Sequence, residues 1–138
     1  MVIALDMTGV VLIKDEKGEW MINHELITFL KSLPKEKFQF AYFTNSSDYW
    51  LNRILRNPSL PVFVGGVTGD DIKRKKPHPE SYETLLKVLS EHVSSRSEVL
   101  LVDDFPENVD GSEKVGMKGF LYRDVDGFKR YLEKEGLL

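Results

Sequence analysis

Carboxylates close two of the apolar runs in this sequence. Asp6 follows Val2–Leu5, and Asp103 and Asp104 close the apolar stretch that begins at Val99. Three carboxylates held close together repel one another strongly, so a divalent cation is their natural counterion. Because the donors are all oxygen atoms, Mg²⁺ is the favoured ion. The acidic residues therefore predict a magnesium site, with Asp6, Asp103 and Asp104 as ligands.

A hydroxyl and an ammonium accompany these carboxylates along the chain. Thr44 ends a second apolar run, and Lys76 lies in a polar segment just before a predicted helix. Placed opposite a metal ion, these two groups would hold the remaining oxygens of a phosphate. Such a set suits phosphoryl transfer, which depends mainly on positioning and charge neutralisation. A carboxylate such as Asp6 can also attack phosphorus and form an aspartyl phosphate.

The elements that must position these groups alternate between strand and helix. The apolar pattern predicts strands over residues 2–5, 38–44, 62–64, 98–104 and 118–122. Helices are predicted between them, with Asn23 capping the first and Pro79 in the first turn of the third. The alternation predicts an α/β fold, a Rossmann-like doubly wound parallel five-stranded sheet with helices on both faces. All strand ends that carry polar groups then lie on one edge of the sheet.

Two further segments complete the prediction. Residues 10–22, with a polar turn ending at Gly18, predict a small hairpin, and residues 65–79 predict a long polar connection. We expect the whole chain, 1–138, to form one domain, which is long enough to bury roughly 68% of its unfolded surface. The sequence shows no repeat, low-complexity segment or linker that would divide it.

Composition and charge exclude several classes of function. The chain has no cysteine, so disulfides, thiolate metal sites and cysteine nucleophiles are excluded. A net charge of −3 gives no electrostatic reason to expect nucleic acid or an anionic membrane as a partner. We find no signal peptide and no apolar run near the ~18 residues of a membrane span, and we expect a cytoplasmic protein. The sequence leaves the oligomeric state open.

The order of the motifs resembles that of the haloacid dehalogenase (HAD) superfamily of hydrolases. Asp-x-x-Gly, a strand-end Thr, Lys-Pro-x-Pro and Asp-Asp-x-x-x-Asn-x-x-Gly follow one another over most of the chain. The resemblance implies that Asp6 is the nucleophile and that Thr44 binds phosphate. It implies that Lys76 neutralises the nucleophile and the phosphate, and that Asp103 and Asp104 bind Mg²⁺. The hairpin over residues 10–22 resembles the superfamily's flap.

Three neighbouring residues receive narrower predictions. Asn45 is expected to contact the substrate beside Thr44, although the segment 44–47 is equally a good helix cap. Lys75 is the alternative to Lys76 if the motif is displaced by one position. Asn108 is expected either to cap a helix or to orient Asp104.

Two features depart from the superfamily's pattern. Its common phosphatase motif is Asp-x-Asp, with a second acid that protonates the leaving oxygen and activates water, whereas this chain has Thr8 at that position. A hydroxyl is not a general acid near neutral pH, so ~10²–10⁴-fold of rate is expected to be missing, although the Thr8 carbonyl could still bind the metal. Successive motifs also leave no room for a cap domain, which favours a bulky phosphorylated substrate or a cap from another subunit.

Two functions follow from these observations. The first is a Mg²⁺-dependent phosphatase that works through an aspartyl phosphate on Asp6 and is slowed by Thr8. The second is a catalytically degenerate HAD-fold module that binds or regulates, for which Thr8 is the main support.

Overall fold

Seven strands occur in the computed structural model of the protein, which describes residues 1–138. In chain order they are Val2–Leu5 (β1), Leu12–Lys14 (β2), Trp20–Ile22 (β3), Gln39–Phe43 (β4), Phe63–Val67 (β5), Val99–Asp103 (β6) and Lys118–Leu121 (β7). Strands β2 and β3 form an antiparallel hairpin, and the other five form a parallel sheet of order β5-β4-β1-β6-β7. The predicted five-stranded parallel sheet is confirmed.

Five α-helices cover the two faces of this sheet. They are His24–Ser32 (α1), Asp48–Leu55 (α2), Pro79–Val88 (α3), Pro106–Lys114 (α4) and Val125–Lys134 (α5). Ile3 and Leu5 of β1 pack into the core formed with α1, α2 and α5. Val2 and Ala4 point the other way, towards α3 and α4. Because β1 is buried on both faces, it reads as a continuous apolar run, and the doubly wound arrangement is confirmed.

The sheet changes its direction of winding between β1 and β6. From β1 the chain moves outward to β4 and β5, then crosses back to β6 and continues outward to β7. Open α/β sheets bind their ligands at the carboxyl ends of the strands beside such a switch point. Asp6 follows β1, Asp103 ends β6, and the Asp6 N–H donates to the Val102 carbonyl at 3.0 Å. The topology thus brings the two carboxylates together.

Strand β5 is longer than the sequence pattern predicted. The expected strand at 62–64 is shifted, since β5 begins at Phe63 and runs to Val67. Gly65 and Gly66, expected in a polar connection, lie inside the strand. A Cβ on Gly66 would be 2.2 Å from the Tyr42 ring on neighbouring β4. These glycines therefore mark close packing within a strand, and not its end.

The hairpin is tied to the sheet at its base. Asn23 caps α1 by accepting the Leu26 N–H at 3.3 Å, as predicted. Its Nδ2 donates to the Val10 carbonyl at 3.0 Å and to the Tyr122 hydroxyl at 2.9 Å. One buried side chain thus joins the flap hairpin, α1 and the segment after β7.

No cap domain interrupts this fold. Each connection between successive strands of the parallel sheet contains one α-helix, and the first also contains the hairpin. None of the five α-helices has the length and apolar character that crossing a lipid bilayer requires.

Candidate active site

A buried ammonium links the carboxylates at the ends of β1 and β6. Lys76 Nζ lies 3.2 Å from Asp6 Oδ1 and 2.8 Å from Asp103 Oδ2. It also donates to the Phe43 carbonyl at 2.7 Å and lies 4.7 Å from the centroid of the Phe43 ring. The Lys76 side chain is only 1% exposed. The three protons of the ammonium thus meet three acceptors, which fixes its position.

The structure separates Lys76 from the other basic residues of its segment. Lys73, Arg74 and Lys75 are exposed, whereas Lys76 is buried. Lys75, the alternative predicted from the sequence, is therefore not needed, because the buried lysine is Lys76.

Asp103 is held by donors on three sides. Its Oδ1 accepts the Phe105 N–H at 3.0 Å, and its Oδ2 accepts Asn108 Nδ2 at 3.2 Å in addition to Lys76. The expectation that Asn108 orients Asp104 is wrong. The Asp103 side chain turns towards Lys76 and the start of α4, where Asn108 lies, whereas Asp104 turns towards the loop after β1.

Asp104 packs against a glycine of that loop. A Cβ on Gly9 would lie 2.2 Å from Asp104 Oδ2, and Gly9 has φ +94°, which side-chain-bearing residues rarely adopt. Position 9 therefore needs glycine both for its backbone conformation and for the space that the carboxylate occupies. Asp104 Oδ1 is buried and has no hydrogen-bond partner.

The donor set fits a hard divalent cation. One oxygen from each of Asp6, Asp103 and Asp104 lies within 4.8 Å of the others. When all three carboxylates are ionised, they and the Lys76 ammonium leave two negative charges, and a buried oxygen without a donor is costly unless a cation binds it. Oxygen-only ligands match the preference of Mg²⁺. The orphaned oxygen of Asp104 points to the same conclusion as the charge balance.

Asp6 has an unusual protonation equilibrium in the absence of a metal. Burial raises the pKa of Asp6 to about 7, with the Asp103 and Asp104 charges adding to the rise while Lys76 opposes it. Its Oδ1 is engaged by Lys76, and its Oδ2 accepts no protein hydrogen bond. The free oxygen belongs to the partly exposed face of the side chain.

Thr44 and Asn45 follow β4 on the same edge of the sheet. Thr44 is buried, and its hydroxyl accepts the Ser46 N–H at 3.1 Å. The Asn45 side chain is turned to the backbone of Lys76, accepting its N–H at 3.0 Å and donating to its carbonyl at 3.3 Å. The helix-cap function assigned to the segment 44–47 falls to Ser47, which accepts the Trp50 N–H.

The loop after β1 leaves donors at the site. The Gly9 N–H donates to the Leu12 carbonyl, and the Leu12 N–H donates to the Met7 carbonyl. The N–H groups of Met7 and Thr8 have no protein acceptor. The Asn45 N–H is likewise unpaired. Thr8 is partly exposed and its hydroxyl makes no hydrogen bond, so this residue contributes backbone groups and a free hydroxyl to the rim.

Sequence reasoning missed two parts of the site. The steric role of Gly9 depends on contact with a residue far along the chain, although a glycine three positions after a strand-end aspartate was a visible signal. The Phe43 carbonyl as a third acceptor for Lys76 had no signal, because every residue carries a backbone carbonyl.

Comparison with known families agrees with the fold. The family described as haloacid dehalogenase-like hydrolase matches residues 14–121, which is most of the chain. The chain therefore belongs to this hydrolase family. The comparison with curated proteins gave no significant match.

Solved structures of similar fold come from several bacteria. An uncharacterised protein from Corynebacterium glutamicum has TM-score 0.69 and 18% identity, over 99% of this chain and 93% of that one. A predicted HAD-like family hydrolase from Porphyromonas gingivalis has TM-score 0.69 and 17% identity, over 95% and 97%. A HAD family enzyme from Bacteroides thetaiotaomicron, an aspartate-to-alanine mutant in complex with magnesium and inorganic phosphate, has TM-score 0.61 and 13% identity, over 88% and 93%. At these identities the likeness concerns the fold.

Proposed function

We propose that this protein is a Mg²⁺-dependent phosphatase that works through an aspartyl phosphate on Asp6. The observation that carries the proposal is the buried cluster in which Lys76 bridges Asp6 and Asp103 while Asp104 keeps an unpaired oxygen. Membership of the hydrolase family and the magnesium and phosphate bound by one neighbour of similar fold support it.

The phosphate would be held by groups already placed around Asp6. The unpaired N–H groups of Met7, Thr8 and Asn45 are suited to anionic oxygens, as backbone donors are in other phosphate sites. The Thr44 hydroxyl lies at the same edge of the sheet, and the Lys76 ammonium, whose three protons are already bonded, would act on the phosphate through its charge. Hydrogen bonds to a charged group are about twice as strong as neutral ones, so a few such donors suffice to orient the phosphate.

The reaction would proceed in two displacements. Asp6 attacks phosphorus through a carboxylate oxygen, the new P–O bond forms, and the bond to the leaving oxygen breaks with its electron pair going to the leaving group. Water then attacks the aspartyl phosphate, which releases inorganic phosphate and restores the Asp6 carboxylate. Lys76 holds Asp6 in place throughout, and its ammonium offsets negative charge near the phosphorus.

Asp6, Asp103, Asp104 and the Thr8 carbonyl would hold the metal. When bound, Mg²⁺ would neutralise the carboxylates and withdraw charge from the phosphate oxygens. The Asp103 oxygens are oriented by Asn108 and the Phe105 N–H, which support a ligand in the way that outer groups do in other metal sites.

The substrate is proposed to be bulky. No cap domain is inserted between the strands of the parallel sheet, and the hairpin of β2 and β3 is the one additional element in the connection that follows Asp6. A bulky phosphorylated substrate would fit such an open site, and so would a smaller substrate if another subunit supplied the cover.

The test is turnover of 4-nitrophenyl phosphate by the purified protein. We expect hydrolysis that requires Mg²⁺, stops with a chelator and is abolished in Asp6→Asn. Asp126→Asn is the matched control, because Asp126 is an exposed carboxylate of α5. Equal turnover by the wild type and Asp6→Asn would refute the proposal.

A binding or regulatory module is the second candidate, and Thr8 favours it. Such a module would bind Mg²⁺ and vanadate, and melt at a higher temperature in their presence, without turning over any phosphate ester. Mg²⁺-dependent turnover that is lost in Asp6→Asn would exclude it.

A further inference from the structure

The site contains few groups that could give a proton to a leaving oxygen. The charged side chains that act on Asp6 are Lys76, Asp103 and Asp104. The three histidines belong elsewhere, since His24 is on α1 and His92 follows α3, while His78 caps α3 by accepting the Glu80 N–H at 3.2 Å. No histidine is among the groups that act on Asp6 or that hydrogen-bond to the carboxylate cluster.

Lys76 cannot fill this role, because each of its protons is already engaged. Its Nζ donates to Asp6, Asp103 and the Phe43 carbonyl, at 3.2, 2.8 and 2.7 Å. Transfer of a proton to the leaving group would break one of these bonds and leave two carboxylates facing a neutral amine. The cost of an uncompensated buried charge makes this unfavourable.

Asp103 and Asp104, at the end of β6, are also unsuited to act as the acid. Asp103 accepts hydrogen bonds from Phe105, Asn108 and Lys76, and Asp104 belongs to the carboxylate cluster that is proposed to hold the metal. An acid catalyst must hold a proton, and a carboxylate bound to Mg²⁺ does not. The hydroxyls of Thr8 and Thr44 remain, and an aliphatic hydroxyl does not release its proton near neutral pH.

We propose that this protein acts on phosphoryl groups whose leaving group departs as a stable anion: acyl phosphates, phosphoanhydrides and aryl phosphates, and not esters of ordinary alcohols. The proposal rests on the proposed phosphatase function and narrows its substrate class. In the first displacement the P–O bond to Asp6 forms and the bond to the leaving oxygen breaks. The departing carboxylate, phosphate or phenolate keeps the electron pair and takes no proton from the protein.

The test is the dependence of kcat/KM on the leaving group. The substrates are 4-nitrophenyl phosphate, phenyl phosphate and glycerol phosphate, each with saturating Mg²⁺. We expect kcat/KM of the wild type to fall by ~10²-fold or more from the first to the last, since a positioned acid typically contributes 10²–10⁴-fold. Equal values for all three substrates would overturn the inference.

Two variants at one position sharpen the test. Thr8→Asp adds a carboxyl group and should raise kcat/KM for glycerol phosphate, so that kcat/KM differs less among the three substrates. Thr8→Val removes the hydroxyl and should keep the large difference in kcat/KM between 4-nitrophenyl phosphate and glycerol phosphate. The inference is supported if kcat/KM differs less among the substrates in Thr8→Asp than in the wild type while Thr8→Val keeps the full difference. A selective loss of glycerol phosphate activity in Thr8→Val overturns it. If Thr8→Asp does not fold, the wild type and Thr8→Val decide.

The same experiment separates this inference from the proposed function. Turnover that survives Asp6→Asn, or no Mg²⁺-dependent turnover of any substrate, refutes the phosphatase proposal itself. Asp6-dependent turnover with no preference among leaving groups refutes only the substrate class.

Discussion

The Asn45 side chain bonds both backbone groups of Lys76. Asn45 Oδ1 accepts the Lys76 N–H at 3.0 Å, and Asn45 Nδ2 donates to the Lys76 carbonyl at 3.3 Å. This pair joins the loop after β4 to the segment before α3, and so sets where the Lys76 ammonium enters the carboxylate cluster. Asn45 was expected to contact the substrate. Its side-chain amide bonds the Lys76 backbone, and its backbone N–H is unpaired, so under the proposed function the N–H is the group of Asn45 that would meet the phosphate.

Loss of these two hydrogen bonds should weaken both catalysis and folding. In Asn45→Ala, two hydrogen bonds of about 0.5–1.5 kcal/mol each disappear, and we expect kcat for 4-nitrophenyl phosphate to fall by about 10-fold. Asn52→Ala is the control, because Asn52 is exposed on α2. Unchanged kcat in Asn45→Ala would show that Lys76 is positioned without it.

Replacement of the buried lysine should cost both stability and activity. Lys76→Met leaves Asp6 and Asp103 without their shared cation, and we expect the free energy of unfolding to fall by about 3–5 kcal/mol. Lys75→Met, at an exposed position, should change it by less than about 0.5 kcal/mol. Urea denaturation of the two variants gives the comparison, and similar values for both would contradict the assignment of Lys76.

Gly9→Ala should disturb the metal site, whereas Gly18→Ala should only strain the backbone. Both glycines have positive φ, at +94° and +78°, but a Cβ on Gly18 has nothing within 4 Å while one on Gly9 meets Asp104. We expect Gly18→Ala to lose about 1–2 kcal/mol of stability and Gly9→Ala to lose more, because its Cβ would also displace Asp104. Gly9→Ala alone should also lose the rise in melting temperature that Mg²⁺ causes. An equal response to Mg²⁺ in both variants would contradict the role given to Gly9.

Mg²⁺ should stabilise the wild type and not Asp104→Asn. A metal present at 100 times its Kd adds about 2.7 kcal/mol to the stability of the folded state. Asp104→Asn removes a ligand charge and one of the repelling carboxylates, so the metal-free variant should be at least as stable as the metal-free wild type. Asp110→Asn, exposed on α4, serves as control. Thermal melts with Mg²⁺ and with a chelator measure the difference, and an undiminished shift in Asp104→Asn would exclude Asp104 as a ligand.

The features that could be predicted from the sequence were those determined by neighbouring residues in the chain. Asp6, Thr44 and Asp103 stand at the ends of apolar runs, and a parallel sheet necessarily brings such ends to one edge. The end of β5 could not be read from the sequence, because Gly65 and Gly66 are usual loop residues. The contacts that explain them are with distant residues: a Cβ on Gly66 would meet the Tyr42 ring, and one on Gly65 would lie 3.2 Å from Val88.

The pairings within the site depended on distant contacts. Whether Asn108 meets Asp103 or Asp104 is decided by the direction in which each side chain leaves the end of β6. The bond between Asn45 and Lys76 links residues 31 positions apart, and no periodicity encodes it. Residue types thus predicted the chemistry of the cluster, while the partner of each group needed the three-dimensional fold.

Phosphorylation of Asp6 is the most direct measure of the proposed mechanism. The protein is mixed with 4-nitrophenyl phosphate and Mg²⁺, quenched with acid during turnover and analysed by peptide mass spectrometry. We predict one phosphoryl group on the peptide that contains Asp6, and none in Asp6→Asn or without Mg²⁺. Mg²⁺-dependent turnover that continues in Asp6→Asn, or a phosphoryl group carried by another residue, would contradict the account.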